Sequence, residues 1–282
     1  MSVHKDRPLE PALRAGQSVK LIGLGGVGSI AARYASVFLA ALARLGGGHT
    51  RLVLIDGDTF EPRNATRMLF ARAGNKAAVL RDELVERFAE SALTIDAIEE
   101  FVTADNVARL VHDGDIVLLA VDNHATRKLV SDFCSGEGGG SGLANVCLIS
   151  AGNDGIGRDS SGRARRGTFG NCQIHLRRGG EELAPSLARH HPEIRDPTDR
   201  SPAEKDCVEI LETVPQNLFA NLTAAATMLN TLWLHLCGGD ALHYGEIVFD
   251  IADGLMRPVP RALPKQSGDR RDEPGGPCTA AS

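Results

Sequence analysis

Val19-Lys20-Leu21-Ile22-Gly23-Leu24-Gly25-Gly26-Val27-Gly28-Ser29 decides the fold. An apolar run ends in a glycine-rich turn and an Ala- and Leu-rich segment follows, which predicts a strand, a tight turn and a helix over residues 29–45. Apolar residues cover almost the whole circumference of that helix, so it is expected to lie buried against a sheet. Glycines let the main chain approach a phosphate closely, and the N–H groups at a helix N-terminus attract the anion. The ligand this turn anticipates is a nucleotide or dinucleotide.

Outward from the turn, residues 51–55 read as a buried parallel strand that completes a right-handed β-α-β unit and stops at Asp56-Gly57-Asp58. Ligands of doubly wound sheets lie beyond the carboxyl ends of the strands, which puts Asp56 beside whatever the glycine loop holds. Its carboxylate suits the two hydroxyls of a ribose. The alternative is that Asp56 and Asp58 cap a turn before Pro62, a reading with more weight for Asp58. A second helix opens at Gly74-Asn75-Lys76. A cation in a first helical turn is electrostatically misplaced, so Lys76 predicts an anion close by. Asn64, Arg67 and Lys76 together suit a triphosphate. Residues 93–101 suggest a third strand and 105–112 a short helix. A fourth strand, 115–121, ends at Asp122-Asn123 and repeats the placement of Asp56, making Asp122 a candidate Mg²⁺ ligand beside phosphates. A helix over 125–134 follows.

Further on, residues 146–151 and 170–176 read as strands of an antiparallel addition to the sheet. Residues 177–206 lack apolar periodicity and read as a long irregular crossover. A helix over 216–236, a last strand over 244–251 and a disordered tail beyond Pro258 complete the expectation. The fold class is α/β: a Rossmann-like, doubly wound, mainly parallel sheet with an antiparallel C-terminal extension. Residues 1–17 are expected to be a poorly ordered lead-in, 18–260 one domain and 261–282 a tail.

The chain has 282 residues, 43% hydrophobic and 24% charged, the balance of a soluble globular protein. Its net charge of -5 supplies no basic field for nucleic acid, and the basic cluster at 158–166 reads as a solvated loop. The longest apolar run, 37–43, is too short for a bilayer, and charges at the N-terminus argue against a signal peptide, so no membrane partner and a cytoplasmic location are expected. Six scattered cysteines without a C-x-x-C pair exclude a paired-cysteine zinc site.

The ordered set Gly23-x-Gly25-Gly26-x-Gly28, Asp56-x-Asp58, Asn64-x-x-Arg67, Lys76 and Asp122-Asn123 resembles the ATP-binding signature of the ThiF, MoeB and HesA family, relatives of ubiquitin-activating enzymes. Cys207-x7-Pro215-Gln216 with Asn221 and Trp233, then residues 245–250, is similar to the compact ThiF proteins of PRTRC-type operons. The resemblance implies an adenylyltransferase that uses ATP and Mg²⁺ to activate the C-terminal carboxylate of a ubiquitin-like or sulfur-carrier protein, and a homodimer. By the same resemblance Gly25 and Gly26 line the nucleotide, Asp56 holds the ribose, Asn64, Arg67 and Lys76 stabilise the triphosphate, and Asp122 holds Mg²⁺. Met68 stands where the family usually has Gln, and the family's zinc-binding cysteine pairs are absent, which implies a zinc-free subgroup. Cys207 occupies the place of the family's thioester-forming nucleophile. A helix N-terminus would lower its pKa and the flanking Glu204, Asp206 and Glu209 would raise it, so catalytic and structural roles both stay open. Two other functions fit parts of the pattern: an NAD-dependent oxidoreductase, which leaves Asn64, Arg67 and Lys76 without a task, and a non-catalytic nucleotide-binding scaffold.

Overall fold

A computed structural model describes residues 17–46, 48–66, 68–158, 162, 164–204, 217–238 and 242–261. The strands are β1 (Val19–Ile22), β2 (Thr50–Ile55), β3 (Thr59–Phe60), β4 (Gly74–Asn75), β5 (Leu93–Ile98), β6 (Ile116–Leu119), β7 (Val146–Asn153), β8 (Ile156–Arg158), β9 (Ala164–Arg166), β10 (Phe169–Arg178), β11 (Glu181–Ala184), β12 (Tyr244–Asp250) and β13 (Leu255–Pro260). The helices are α1 (Gly26–Gly46), α2 (Lys76–Arg87), α3 (Val107–Leu110), α4 (His124–Ser135), α5 (Pro192–Arg195) and α6 (Leu218–Cys237). A nine-stranded sheet runs β13-β12-β10-β7-β6-β1-β2-β5, with β11 on the free stretch of β10. The block β7-β6-β1-β2-β5 is parallel, and β10, β12 and β13 extend it antiparallel, as the Rossmann-like expectation requires.

Register sets the functional rim. Ile22 stands opposite both Ile55 and Leu119, and Leu119 stands opposite Ser150, so β1, β2 and β6 end level with one another and with the middle of β7. The residues that follow, Gly23, Asp56, Ala120 to Asp122 and Ala151 to Asn153, therefore share one edge. Helices α1, α2 and α6 close one face of the sheet through a core that includes Leu39, Leu80 and Met228. The other face is closed by α3, α4 and α5 through Leu110, Val130 and Ile194.

Several sequence expectations need correction. Helix α1 is not buried all round, because Tyr34 and Val37 face outward at 61% and 48% exposure. Its Gly26–Leu45 stretch has the length and hydropathy to cross a membrane, contrary to the short-run estimate, but about two-thirds of that window is packed inside the protein, as in a core helix. Residues 177–206 are not wholly irregular: β11 and α5 lie within them, since Leu183, Ala184 and Ile194 pack on the two cores. Nor is the strand expected over 244–251 the last. The turn at residues 251–254, with Gly254 at φ +62°, reverses the chain into β13, and Pro258 to Pro260 belong to that edge strand, the place in a sheet that tolerates proline.

The segment carrying α5 is latched to the extension. His191 bonds Glu193 through Nδ1 at 2.9 Å and Glu246 of β12 through Nε2 at 3.3 Å, and Asn171 donates to the other oxygen of Glu246 at 2.7 Å. Burial opposes the imidazolium, but the hydrogen bonds to Glu246 and Glu193 win and hold His191 above its ordinary value. A raised histidine pKa contributes stability that is complete below the unfolded value near 6.5 and is lost as pH rises through the folded value. Unfolding in urea between about pH 5 and about pH 8 is therefore expected to show a stability loss that His191→Gln removes. Gly28 supplies a second test. A Cβ there would lie 1.8 Å from the Gly23 carbonyl oxygen, so Gly28→Ala should cost about 3 kcal/mol or more by the same measurement.

Candidate active site

The glycine turn is built by contacts only glycine allows. Gly23 adopts φ +87°, and a side chain on it would meet Val121 at 2.9 Å. Its N–H donates to Ile55 O at 3.0 Å, which draws the turn onto the end of β2. Asp56 completes the clamp by accepting from Leu24 N at 2.5 Å on one oxygen and from Asp58 N at 2.8 Å on the other. Burial pushes its carboxyl above the ordinary value, against the lowering effect of the Lys76 charge and of those two N–H groups.

These elements wall a cavity of about 390 Å³ at the switch point between β1 and β6, where doubly wound sheets bind ligands. Gly23, Gly25, Gly26, Asp56, Asp58, Lys76, Asp122 and Asn123 all line it. Two predicted residues do not. Gly28 is turned into the packing against Gly23, and the Asn64 side chain closes its own turn by accepting from Glu61 N at 2.9 Å. Arg67 and Cys207 lie outside the described residues. Met68 lines the cavity with its sulfur-bearing chain and stands 4.0 Å from where a Gly25 side chain would begin.

The argument from a misplaced cation is also corrected. Lys76 Nζ pairs with the Asp58 carboxylate, so its charge already has a partner on the cavity wall. Lys76 is buried and Asp58 half exposed, which leaves the pair open on the acid's side. Asn75 caps α2 by accepting from Ala78 N and fixes the approach by donating to Asp56 O at 2.9 Å.

Opposite Lys76 lies a group the sequence reading missed. Arg127, in the first turn of α4, is buried and donates to Ser150 Oγ at 3.0 Å, Val121 O at 2.9 Å and Ala151 O at 3.2 Å. Its guanidinium lies so close over Gly152 that a Cβ there would stand 2.3 Å from Nη2. Burial pulls the Arg127 pKa down, and the nearby Asp122, Cys172, Asp199 and Glu193 pull it back up. Asp199, from the crossover segment, accepts from the backbone N–H groups of His124 and Ala125 at 2.7 and 2.9 Å. The signal for Arg127 was present as the fourth residue after Asn123, one helical turn along α4. Nothing local marked Asp199.

No group of three or more His, Cys, Asp or Glu side chains among the described residues is arranged to hold a metal. A single carboxylate nonetheless fits magnesium beside a polyphosphate, since that ion keeps several waters and takes most of its other oxygens from the phosphates, and Asp122 lines the cavity. The thiols of Cys134, Cys147 and Cys172 are pushed up to about 12 by burial, which makes them inert core residues.

The model of the ThiF family matches residues 11–152, just over half of the chain. The chain belongs to the ThiF family. Among curated relatives, this ThiF-family chain is 34% identical over 119 residues to the adenylyltransferase and sulfurtransferase MOCS3 of Dictyostelium discoideum, a match covering 42% of this chain and 26% of that protein. It is 30% identical over 123 residues to the SAMP-activating enzyme E1 of Haloferax volcanii, covering 43% and 42%. The matched part thus spans between about a quarter and two-fifths of the length of these relatives. Among solved structures, E. coli MccB superposes with a TM-score of 0.59 at 18% identity, over 94% of this chain and 68% of that one, which shows a shared fold.

The Asp56 clamp yields a direct test. Asp56→Ala leaves the N–H groups of Leu24 and Asp58 without acceptors and should lower stability by about 2–4 kcal/mol in urea unfolding. An unchanged midpoint would show that the glycine turn holds without it.

Proposed function

We propose that this ThiF-family chain is an ATP-dependent adenylyltransferase that activates the C-terminal carboxylate of a small ubiquitin-like or sulfur-carrier protein. What supports the reading is one cavity in which the glycine turn, Asp56, Lys76 and Asp122 meet. The names of the MOCS3 and SAMP-activating relatives point the same way.

In this reaction a carboxylate oxygen attacks the α-phosphorus of ATP, the bond from that phosphorus to the bridging oxygen breaks, and pyrophosphate leaves with the electron pair. The product is an acyl adenylate. Gly25 and Gly26 allow the nucleotide to approach the main chain, Asp56 faces the ribose, and Lys76 neutralises the triphosphate, a task the family resemblance also gives to Arg67. Asp122 would hold Mg²⁺, which shields the phosphates when bound. No proton has to move in this step, so positioning and electrostatics carry the rate. A following attack of the Cys207 thiolate on the acyl carbon, with AMP leaving, would give a thioester. A cytoplasmic homodimer completes the reading, and exposed Tyr34, Val37 and Trp233 on α1 and α6 offer apolar area for a second copy.

The decisive assay is ATP–pyrophosphate exchange with Mg²⁺ in the presence of each small ubiquitin-like protein encoded nearby. Exchange that depends on one partner is expected, together with a loss of about a hundredfold or more in Asp122→Ala and Lys76→Ala. Undiminished exchange in both variants would remove the cavity from the reaction.

A further inference from the structure

Two sides of the cavity differ in chemistry. Lys76 stands over the end of β2, whereas Asn123, Thr126 and Arg127 stand over the ends of β6 and β7, with the glycine turn of β1 between them. On the β6–β7 side, Asn123 and Thr126 are 2% and 4% exposed, and Asn123 Nδ2 and Thr126 Oγ1 have no hydrogen-bond partner. Unpartnered donors at such burial are costly, and both residues line the cavity. Arg127 beside them gives its hydrogen bonds to neutral oxygens, and no carboxylate of the described residues stands within salt-bridge distance of it. A buried cation without a contacting anion is a strong attractor for one. The same end of the twelve-residue helix α4 already holds a carboxylate, that of Asp199, on its first N–H groups.

We propose that Asn123 Nδ2, Thr126 Oγ1 and the Arg127 guanidinium form the subsite for the carboxylate that is to be activated, apart from the triphosphate at Lys76. This inference rests on the adenylation reading and adds the residues that hold the acid. The two reacting groups are both anions, and bringing them together costs Coulomb energy that a cation on the acid's own side offsets. The planar guanidinium also fixes the direction of the carboxylate, so that one oxygen is presented while the other is held. Gly152 serves the same purpose by leaving room for the guanidinium against β7. Arg127 and Thr126 thus act on substrate binding, before any bond changes.

The test uses the full chain and two synthetic peptides of one sequence ending in Gly-Gly, one with a free C-terminal carboxylate and one with an amide. Both are titrated calorimetrically in the presence of a non-hydrolysable ATP analogue. The wild-type protein should bind the acid about tenfold more tightly than the amide. Thr126→Val and Arg127→Lys should each bring that ratio close to one. The Thr126 hydroxyl makes no hydrogen bond in the fold, so Thr126→Val keeps the comparison usable if Arg127→Lys unfolds. Equal binding of acid and amide by the wild type overturns the subsite, and so does a ratio retained in Thr126→Val and in any folded Arg127→Lys. A separate ATP titration of the wild type without peptide tests the adenylation reading. If it shows no binding, the acid-to-amide ratio measured without nucleotide still decides the subsite.

Discussion

The carboxylate of Asp56 holds the end of β1 to the end of β2. It is a buried anion whose two oxygens each receive a main-chain N–H, one from the glycine turn and one from its own loop. Without it the N–H groups of Leu24 and Asp58 would lose their acceptor at the cavity wall. The arrangement is expensive, because burial works against the charged form, and it persists because two backbone donors and the Lys76 charge share the cost. The tight fit of Gly28 on Gly23 then locks the start of α1 against the same turn.

From that fixed point the cavity acquires two electrostatic poles. Lys76 is buried but tied to a half-exposed acid, so the pair meets the cavity with both signs of charge. Arg127 is tied to neutral oxygens of β7 and of the loop after β6, so its charge is rigid and desolvated. A point charge suits the spread-out charge of a polyphosphate, and a planar guanidinium suits a group that must be aimed. The parallel strands supply the first pole through the β2–α2 connection and the second through the β6–α4 connection, which is why both rest on level strand ends.

The parallel half of the fold was legible in the sequence because β1, β2 and β6 are largely apolar, almost wholly buried runs that lead into Gly23, Asp56 and Asp122. The antiparallel half was less so. β13 carries Arg257, Pro258 and Pro260 on a largely exposed edge, a composition that reads as tail until its pairing partner is known. In the site, Gly23, Asp56 and Asp122 declared themselves by standing at strand ends. Asn64 and Gly28 fitted the motif equally well but face inward packing, since spacing along a chain does not say which way a residue turns. Asp199 was invisible because its partners are main-chain N–H groups 74 and 75 residues away.

That last contact has an evolutionary side. Backbone donors do not change when residues 124 and 125 drift, so half of the attachment is immune to mutation. The other half depends on one side chain. A change at position 199 would remove this one tie while the core packing of Ile194 and the bond from His191 to Glu246 keep the segment in place, so the anchor on α4 can be tuned by itself.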